Sequence, residues 1–227
     1  MRSDLPKVMH EVAGLPMLLH VMRVAQAANC SDMAVVAGNG FETVSQAVEK
    51  ERPGTRIFEQ KERLGTAHAV LAAREAIASG DQDILVLFGD TPLLTVDMLV
   101  QMREGFQDGT AVLVLGFEAD DPTGYGRLIE RDGALLAIRE HKDASQEERR
   151  ITFCNGGIMG LSGEHAMSLL NAVGNDNANN EYYLPDVVEI ANQRGLKVKA
   201  IRGDEKEVLG VNTRAGLAEV ELLWQQA

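Results

Sequence analysis

Residues 83–94 read Asp-Ile-Leu-Val-Leu-Phe-Gly-Asp-Thr-Pro-Leu-Leu, and no other stretch constrains the fold as tightly. Ile84 to Phe88 is an unbroken apolar run of strand length, closed by Gly89-Asp90 and followed after Pro92 by a helix-opening segment. A strand with one solvated face alternates apolar and polar residues. A run without alternation belongs to a strand buried on both faces, as in the parallel sheet of an α/β protein. Open α/β sheets take their ligands at the carboxyl ends of the strands. Asp90 is released there, so it is a candidate metal or ligand residue, with capping of the next helix as the plain alternative.

The rest of the first half alternates in the same way. Helices are expected at Pro16–Ala28, Phe41–Glu51, Gly65–Ser79 and Val96–Phe106, with strands at Met33–Val36, Arg56–Phe58 and Ala111–Gly116. Such alternation favours βαβ units and a mainly parallel sheet. Beyond about residue 120 the pattern changes. Arg127–Glu130 and Ala134–Arg139 flank Asp132-Gly133, a pair suited to a tight hairpin turn. A strand over Phe153–Leu161 carries a Gly156-Gly157 break. Helices at Glu164–Val173 and Pro185–Arg194, a strand at Leu196–Ile201 and a closing helix at Ala215–Gln225 complete the chain. Met1 to Lys7 reads as loop, with a helix as the first clear element.

The formal net charge of −12 argues against nucleic acid and against an anionic membrane as partner. It also means that a phosphate-bearing substrate needs local help from Lys, Arg, Mg2+ or backbone N–H groups. Cys30 and Cys154 have neither metal-ligand spacing nor a disulfide framework, which fits a reduced, cytoplasmic setting. No signal peptide is expected. Leu15–Ala28 is interrupted by His20, Arg23 and Gln26, so it reads as an amphipathic helix and not as a membrane span.

Several further segments carry polar chemistry. Leu64-Gly65-Thr66-Ala67-His68 introduces a helix: Gly65 lets a ligand approach the backbone, Thr66 caps or binds, and His68 serves as a supporting hydrogen-bond partner. Pro122-Thr123-Gly124-Tyr125-Gly126-Arg127 exposes backbone groups in a loop, and Glu140-His141-Lys142-Asp143 ends the hairpin. Cys154-Asn155-Gly156-Gly157 is a polar interruption, either bulge or ligand contact. In Gly210-Val211-Asn212-Thr213-Arg214, Asn212 reads equally as a plain helix cap.

Taken in order, these pieces resemble one family. Ser3-Asp4-Leu5-Pro6-Lys7, Gln60 with Leu64–Ala69, Phe88–Leu93, Asp121–Arg127, Glu140–Ala144, Cys154–Gly157, Asn179-Asn180-Glu181-Tyr182-Tyr183 and Gly210-Val211-Asn212 match it from residue 5 to 227. It is the uridyltransferase half of bacterial bifunctional N-acetylglucosamine-1-phosphate uridyltransferase/glucosamine-1-phosphate acetyltransferase. The resemblance implies a Rossmann-like α/β fold of the nucleotide-diphospho-sugar transferase type, with a mixed, mainly parallel sheet and an inserted hairpin subregion over the sugar site. It implies one domain: a nucleotide-binding part over about 1–118, a sugar-binding part over about 119–212 and a C-terminal helix at 213–227.

The implied reaction joins UTP and N-acetylglucosamine 1-phosphate into UDP-N-acetylglucosamine and pyrophosphate, supplying peptidoglycan and lipopolysaccharide synthesis. By the same resemblance Gln60 and Gly65 read the uracil with Thr66 close by, Lys7 contacts phosphate, Asp90 and Asn212 hold Mg2+, and Gly126, Glu140 and Asn155 bind the sugar. Lys7 and Asp90 are then the catalytic pair.

Three departures accompany the resemblance. The family's N-terminal strand and Leu-Ala-Ala-Gly-x-Gly-Thr-Arg segment, whose glycines wrap phosphates, are expected to be missing. Pro185 stands where the family often has Thr. The acetyltransferase half is expected to be absent, and a homo-oligomer formed through it is left open. Two other readings also stay open: another sugar-1-phosphate nucleotidyltransferase, or a non-catalytic sugar-nucleotide-binding domain. A metal-dependent glycosyltransferase fits less well, because the strand ends in Phe-Gly-Asp and not in Asp-x-Asp.

Overall fold

The computed structural model describes residues 3–30 and 32–226; the loop expected at Met1 and Arg2, and the helix end expected at Ala227, lie outside them. A 3-10 turn at Lys7–Met9 leads into a small antiparallel hairpin, β1 (Glu11–Val12) and β2 (Leu15–Pro16), and only then into α1 (Met17–Ala27). The expected opening helix is thus preceded by a hairpin. Its turn residues Ala13 and Gly14 both have positive φ, 49° and 76°. An alanine there is costly, and the turn is held from outside: the Ala13 amide donates to Glu221 Oε2 at 2.7 Å.

β3 (Ala34–Ala37), α2 (Phe41–Glu51) and β4 (Arg56–Glu59) form a βαβ unit with the strands parallel. The single helix expected over Gly65–Ser79 is two, α3 (Thr66–Ala72) and α4 (Arg74–Ile77), broken at Ala73 with φ −93° and ψ 21°. β5 (Ile84–Val86), α5 (Val96–Glu104) and β6 (Thr110–Glu118) follow. Then come the hairpin of β7 (Arg127–Arg131) and β8 (Ala134–Arg139), β9 (Phe153–Leu161), α6 (Gly163–Leu170), α7 (Val187–Gln193), β10 (Lys197–Arg202) and α8 (Arg214–Gln226). At the β7–β8 turn Asp132 and Gly133 have φ 52° and 77°, the conformation for which an Asp-Gly pair is suited.

The central sheet has the order β10-β6-β9-β7-β8, with β5 also on β9. β10 is parallel to β6, while β5, β6 and β7 all run against β9, and β8 runs against β7. Four strands of this mixed sheet therefore point one way, and β8 and β9 point the other. The strand buried on both faces is β6. Val112 and Val114 pack with Ala166, Leu169, Val187 and Val188 of α6 and α7, while Leu113, Leu115 and Phe117 pack with Val21, Met98 and Met102 of α1 and α5. Helices thus cover both faces of the sheet. Each such fully buried side chain contributes roughly 1.5–3 kcal/mol of transfer free energy.

β5 departs from its expected burial. Its ladder stops at Val86 and its three residues are only half-buried, because among the described residues it pairs along one edge only, with β9. That edge of β9 changes partner. Met159 pairs with Val86 of β5, whereas Cys154 pairs with Arg127 of β7. Asn155, Gly156 and Gly157 lie in the interval, so the sheet opens where the polar interruption of the sequence falls. The open edge faces the tip of β5 and the segment after it.

Candidate active site

Three residues from the two ends and the middle of the chain meet beyond β5. Lys7 Nζ donates to Asp90 Oδ2 and, at 2.9 Å, to Asn212 Oδ1. The backbone ties the segments as well, since the Val211 amide donates to the Asp90 carbonyl at 3.0 Å. Asp90 does not cap α5; Thr95 does, accepting from the Met98 amide at 3.3 Å. Asn212 is not the cap of α8 either, because Thr213 Oγ1 takes the Gly216 amide at 3.0 Å. Carboxylate and amide oxygen both turn to Lys7 instead, whose side chain is 39% exposed against 17% for Asp90.

The Lys7 ammonium marks a point where a cation is held by two oxygens. Oxygen donors are what Mg2+ takes, and it commonly uses one or two protein groups with water and substrate phosphates supplying the rest. Among the described residues no group of three or more His, Cys, Asp or Glu is placed to hold a metal ion. The donor set of Asp90 and Asn212 thus fits an ion brought in with a phosphate ligand, not a closed protein cage.

A second group gathers at the start of α3. Gln60 Nε2 donates to the Gly65 carbonyl at 3.1 Å and faces His68 Nδ1 at 3.3 Å, the supporting role expected for that histidine. Gly65 has φ 119°, and a Cβ on it would collide with the Tyr182 carbonyl and stand 2.6 Å from the Tyr182 nitrogen. Only glycine fits there. The close approach lets Tyr182 form a short ladder, its amide donating to Leu64 and its carbonyl accepting from Ala67, at 2.7 and 2.9 Å. Thr66 Oγ1 accepts from the Leu184 amide at 2.8 Å, so its hydroxyl fastens the 182–185 segment and does not cap its own helix.

A cavity of about 420 Å3 is lined by Thr66, Phe88, Gly126, Glu140, Asn155 and Tyr183 among others. Asn155 donates its amide to Gly126 at 2.8 Å, and its Oδ1 accepts from Gly157 at 3.0 Å, so the polar interruption is both an irregular turn and part of the cavity wall. A Cβ on Gly126 would meet Glu140 Oε1 at 3.2 Å and would narrow the cavity. Burial pushes the Glu140 carboxyl above its usual range, with Asp143 and Asp186 adding to this and Arg127 opposing it.

All nine expected site residues fall into these groups: Lys7, Asp90 and Asn212 together, Gln60 beside Gly65, and Thr66, Gly126, Glu140 and Asn155 on one cavity. Phe88 joins the groups, since it lines the cavity two residues before Asp90. Pro185, where a hydroxyl was expected to be missing, lines it too.

Three residues have no role assigned from the sequence. Lys142 Nζ donates to Asn179 Oδ1 at 2.8 Å, joining two lips of the cavity. Asp186, beside α7, has its carboxyl pushed up to about 6 by burial, with Arg139 opposing and Glu189 and Asp143 adding. Arg127 lies buried behind the wall. Its signal was present: a charged residue opening a strand directly after Gly-Tyr-Gly.

Comparison with known proteins places the chain within a family. Residues 1–177 match the model of the MobA-like NTP transferase domain. The Bifunctional protein GlmU of Brucella anthropi is 54% identical over 226 residues, and that of Chelativorans sp. is 55% identical over 227 residues. Both alignments take in 100% of this chain and 50% of the relative, so the chain spans about half the length of the curated relatives it matches. Among solved structures, UDP-glucose pyrophosphorylase complexed with UDP-glucose superposes with a TM-score of 0.76 at 19% identity, covering 98% of this chain and 91% of that one. Its apo form gives 0.73 at 18%. At such identity the likeness concerns the fold. The family match rests on the sequence, and by it the chain belongs to the MobA-like NTP transferase family.

Proposed function

We propose that this nucleotidyltransferase transfers UMP from UTP to N-acetylglucosamine 1-phosphate, giving UDP-N-acetylglucosamine and pyrophosphate. The observation that carries the reading is the meeting of Lys7, Asp90 and Asn212 next to the cavity of Thr66, Gly126, Glu140 and Asn155. The nucleotide is assigned to the part before about residue 118, with Gln60 and Gly65 at the base, and the sugar to the part from about 119 to 212. The match of residues 1–177 to the MobA-like NTP transferase domain supports the transfer of a nucleotidyl group.

In this reaction an oxygen of the sugar 1-phosphate attacks the α-phosphorus of UTP. The new P–O bond forms as the bond to the bridging oxygen breaks, and pyrophosphate leaves with the electron pair. The attacking oxygen is already ionised at neutral pH, so no side chain needs to remove a proton. What opposes the reaction is charge. Two like charges ~4 Å apart cost about 4 kcal/mol at an effective dielectric near 20. The protein's own charge of −12 adds to the repulsion.

Lys7 brings a positive point charge to the phosphates, while Asp90 and Asn212 would hold Mg2+. Bound there, the ion would offset phosphate charge and help to align the attack. Gly126, Glu140 and Asn155 orient the sugar by hydrogen bonds, fixing the angle of the attacking phosphate. The assay that tests this measures pyrophosphate release over a panel of nucleoside triphosphates and hexose 1-phosphates. The highest kcat/KM is expected for UTP with N-acetylglucosamine 1-phosphate. A better pair would replace the substrates, and UDP-sugar binding with no turnover on any pair would leave a binding domain.

A further inference from the structure

Arg127 is 1% exposed and is among the largest fully buried side chains of the described residues. Stripping a charge of water is expensive, so a buried guanidinium ordinarily faces a carboxylate. Here its partners are two carbonyls and a ring nitrogen. Its guanidinium donates to the Tyr125 carbonyl, faces His141 Nδ1 at 3.3 Å and donates to the Arg149 carbonyl at 3.3 Å. The Nε, also buried, has no partner among the described residues. These contacts reach three segments: the Gly124–Gly126 loop, the turn beginning at Glu140, and the 3-10 turn at Glu148–Arg150. Gly124, Tyr125, Gly126, Glu140 and His141 all line the cavity. Arg127 itself stands opposite both Arg139 and Cys154, where β7 joins β8 and β9.

We propose that Arg127 is the positioning residue of the acceptor side of the cleft: its guanidinium holds the Gly124–Gly126 loop and the Glu140–His141 turn in one geometry and sets a buried positive charge behind Glu140. This rests on the sugar-phosphate reading of the cavity. The groups facing Glu140 are Asp143 on its own turn, Asp186 before α7 and Arg127 on β7, with the Tyr183 hydroxyl also within its field. Burial and the two aspartates push the Glu140 carboxyl up, and Arg127 alone of these pulls it down. An ionised Glu140 accepts hydrogen bonds from a sugar's hydroxyl and amide groups. A protonated one loses part of that capacity.

The test compares Arg127→Met, which removes charge and fork, with Arg127→Lys, which keeps a charge without the fork. For Arg127→Met the KM for N-acetylglucosamine 1-phosphate should rise ~10–100-fold while the KM for UTP stays within about twofold. The pH below which acceptor binding fails should move upward, because the proton on Glu140 is then held more tightly. Arg127→Lys should raise the acceptor KM but leave that pH near its wild-type position. A ligand-free measurement accompanies the kinetics: the titration midpoint of Glu140, followed by carboxyl 13C NMR and assigned with Glu140→Gln, should rise in Arg127→Met. An unchanged midpoint, or KM values for UTP and sugar phosphate rising together, would overturn the inference. If Arg127→Met does not fold, Arg127→Lys decides by the same KM split. If the wild type binds no sugar phosphate, the substrate reading fails and the Glu140 midpoint alone decides the role of Arg127.

Discussion

Lys7 Nζ stands 2.9 Å from Asn212 Oδ1, 205 residues away in sequence, and donates to Asp90 from the same position. The lysine occupies the oxygens assigned to a divalent ion, so ion and ammonium compete for one place. Lys7→Met is expected to bind Mn2+ several-fold more tightly in the absence of nucleotide, as read by electron paramagnetic resonance, because a charge at ~4 Å is worth roughly 1–4 kcal/mol between water and a protein surface. Turnover in that variant should fall by at least ~100-fold, since the phosphates lose their cation. Unchanged Mn2+ affinity would show that Lys7 does not occupy the site.

Gly65 is fixed by backbone geometry before any ligand is considered. Its φ is 119°, and an added methyl would press on the Tyr182 backbone, 2.6 Å from the nitrogen. Gly65→Ala must therefore displace the 182–185 segment or twist the start of α3. The expected cost is about 1–3 kcal/mol. Thermal unfolding should show a clear fall in Tm, with weaker UTP binding. A variant as stable as the wild type would contradict the close packing of Tyr182 on Gly65.

Asp186 gives a pH signature of opposite sign to an ordinary ion pair. Its folded carboxyl titrates at about 6, above its usual value near 3.9. Between those values the folded protein holds a proton that the unfolded chain has released. The contribution to stability therefore falls as pH rises through this window, and the penalty is fully present above about 6. Asp186→Asn should raise stability at pH 7.5 by on the order of 1 kcal/mol, the figure discounted because the group is not fully buried. The gain should vanish near pH 4. Thermal melts at both pH values check this, and a loss at pH 7.5 would mean that the field of Arg139 outweighs burial.

Much of the site was legible because its parts carry local chemistry. Asp132-Gly133 specified a turn through positive φ, and Gly65 and Asp90 sat where a helix begins and a strand ends. What the spacing could not give was that Lys7, Asp90 and Asn212 meet, since nothing local links residues so far apart; the ordered resemblance supplied that expectation. The break at Ala73 was illegible for a physical reason. Alanine favours helix, yet the turn tightens so that the Ala73 amide bonds to Val70 at 3.0 Å. The β1–β2 hairpin was likewise hidden, because Ala13-Gly14 is a weak turn pair stabilised by Glu221 of α8. The composition of Ile84–Phe88 implies burial, but burial depends on neighbours, and β5 has one paired edge among the described residues.

Asp90 is proposed to serve the reaction and not the fold. Its side chain caps no helix and meets Lys7 at the site, so removing it should leave packing intact. The most direct measurement is Mg2+-dependent pyrophosphate release from UTP and N-acetylglucosamine 1-phosphate by Asp90→Ala, with its Tm taken alongside. A loss of at least ~1,000-fold in kcat with a near wild-type Tm is expected. Release at a rate near that of the wild type would contradict it.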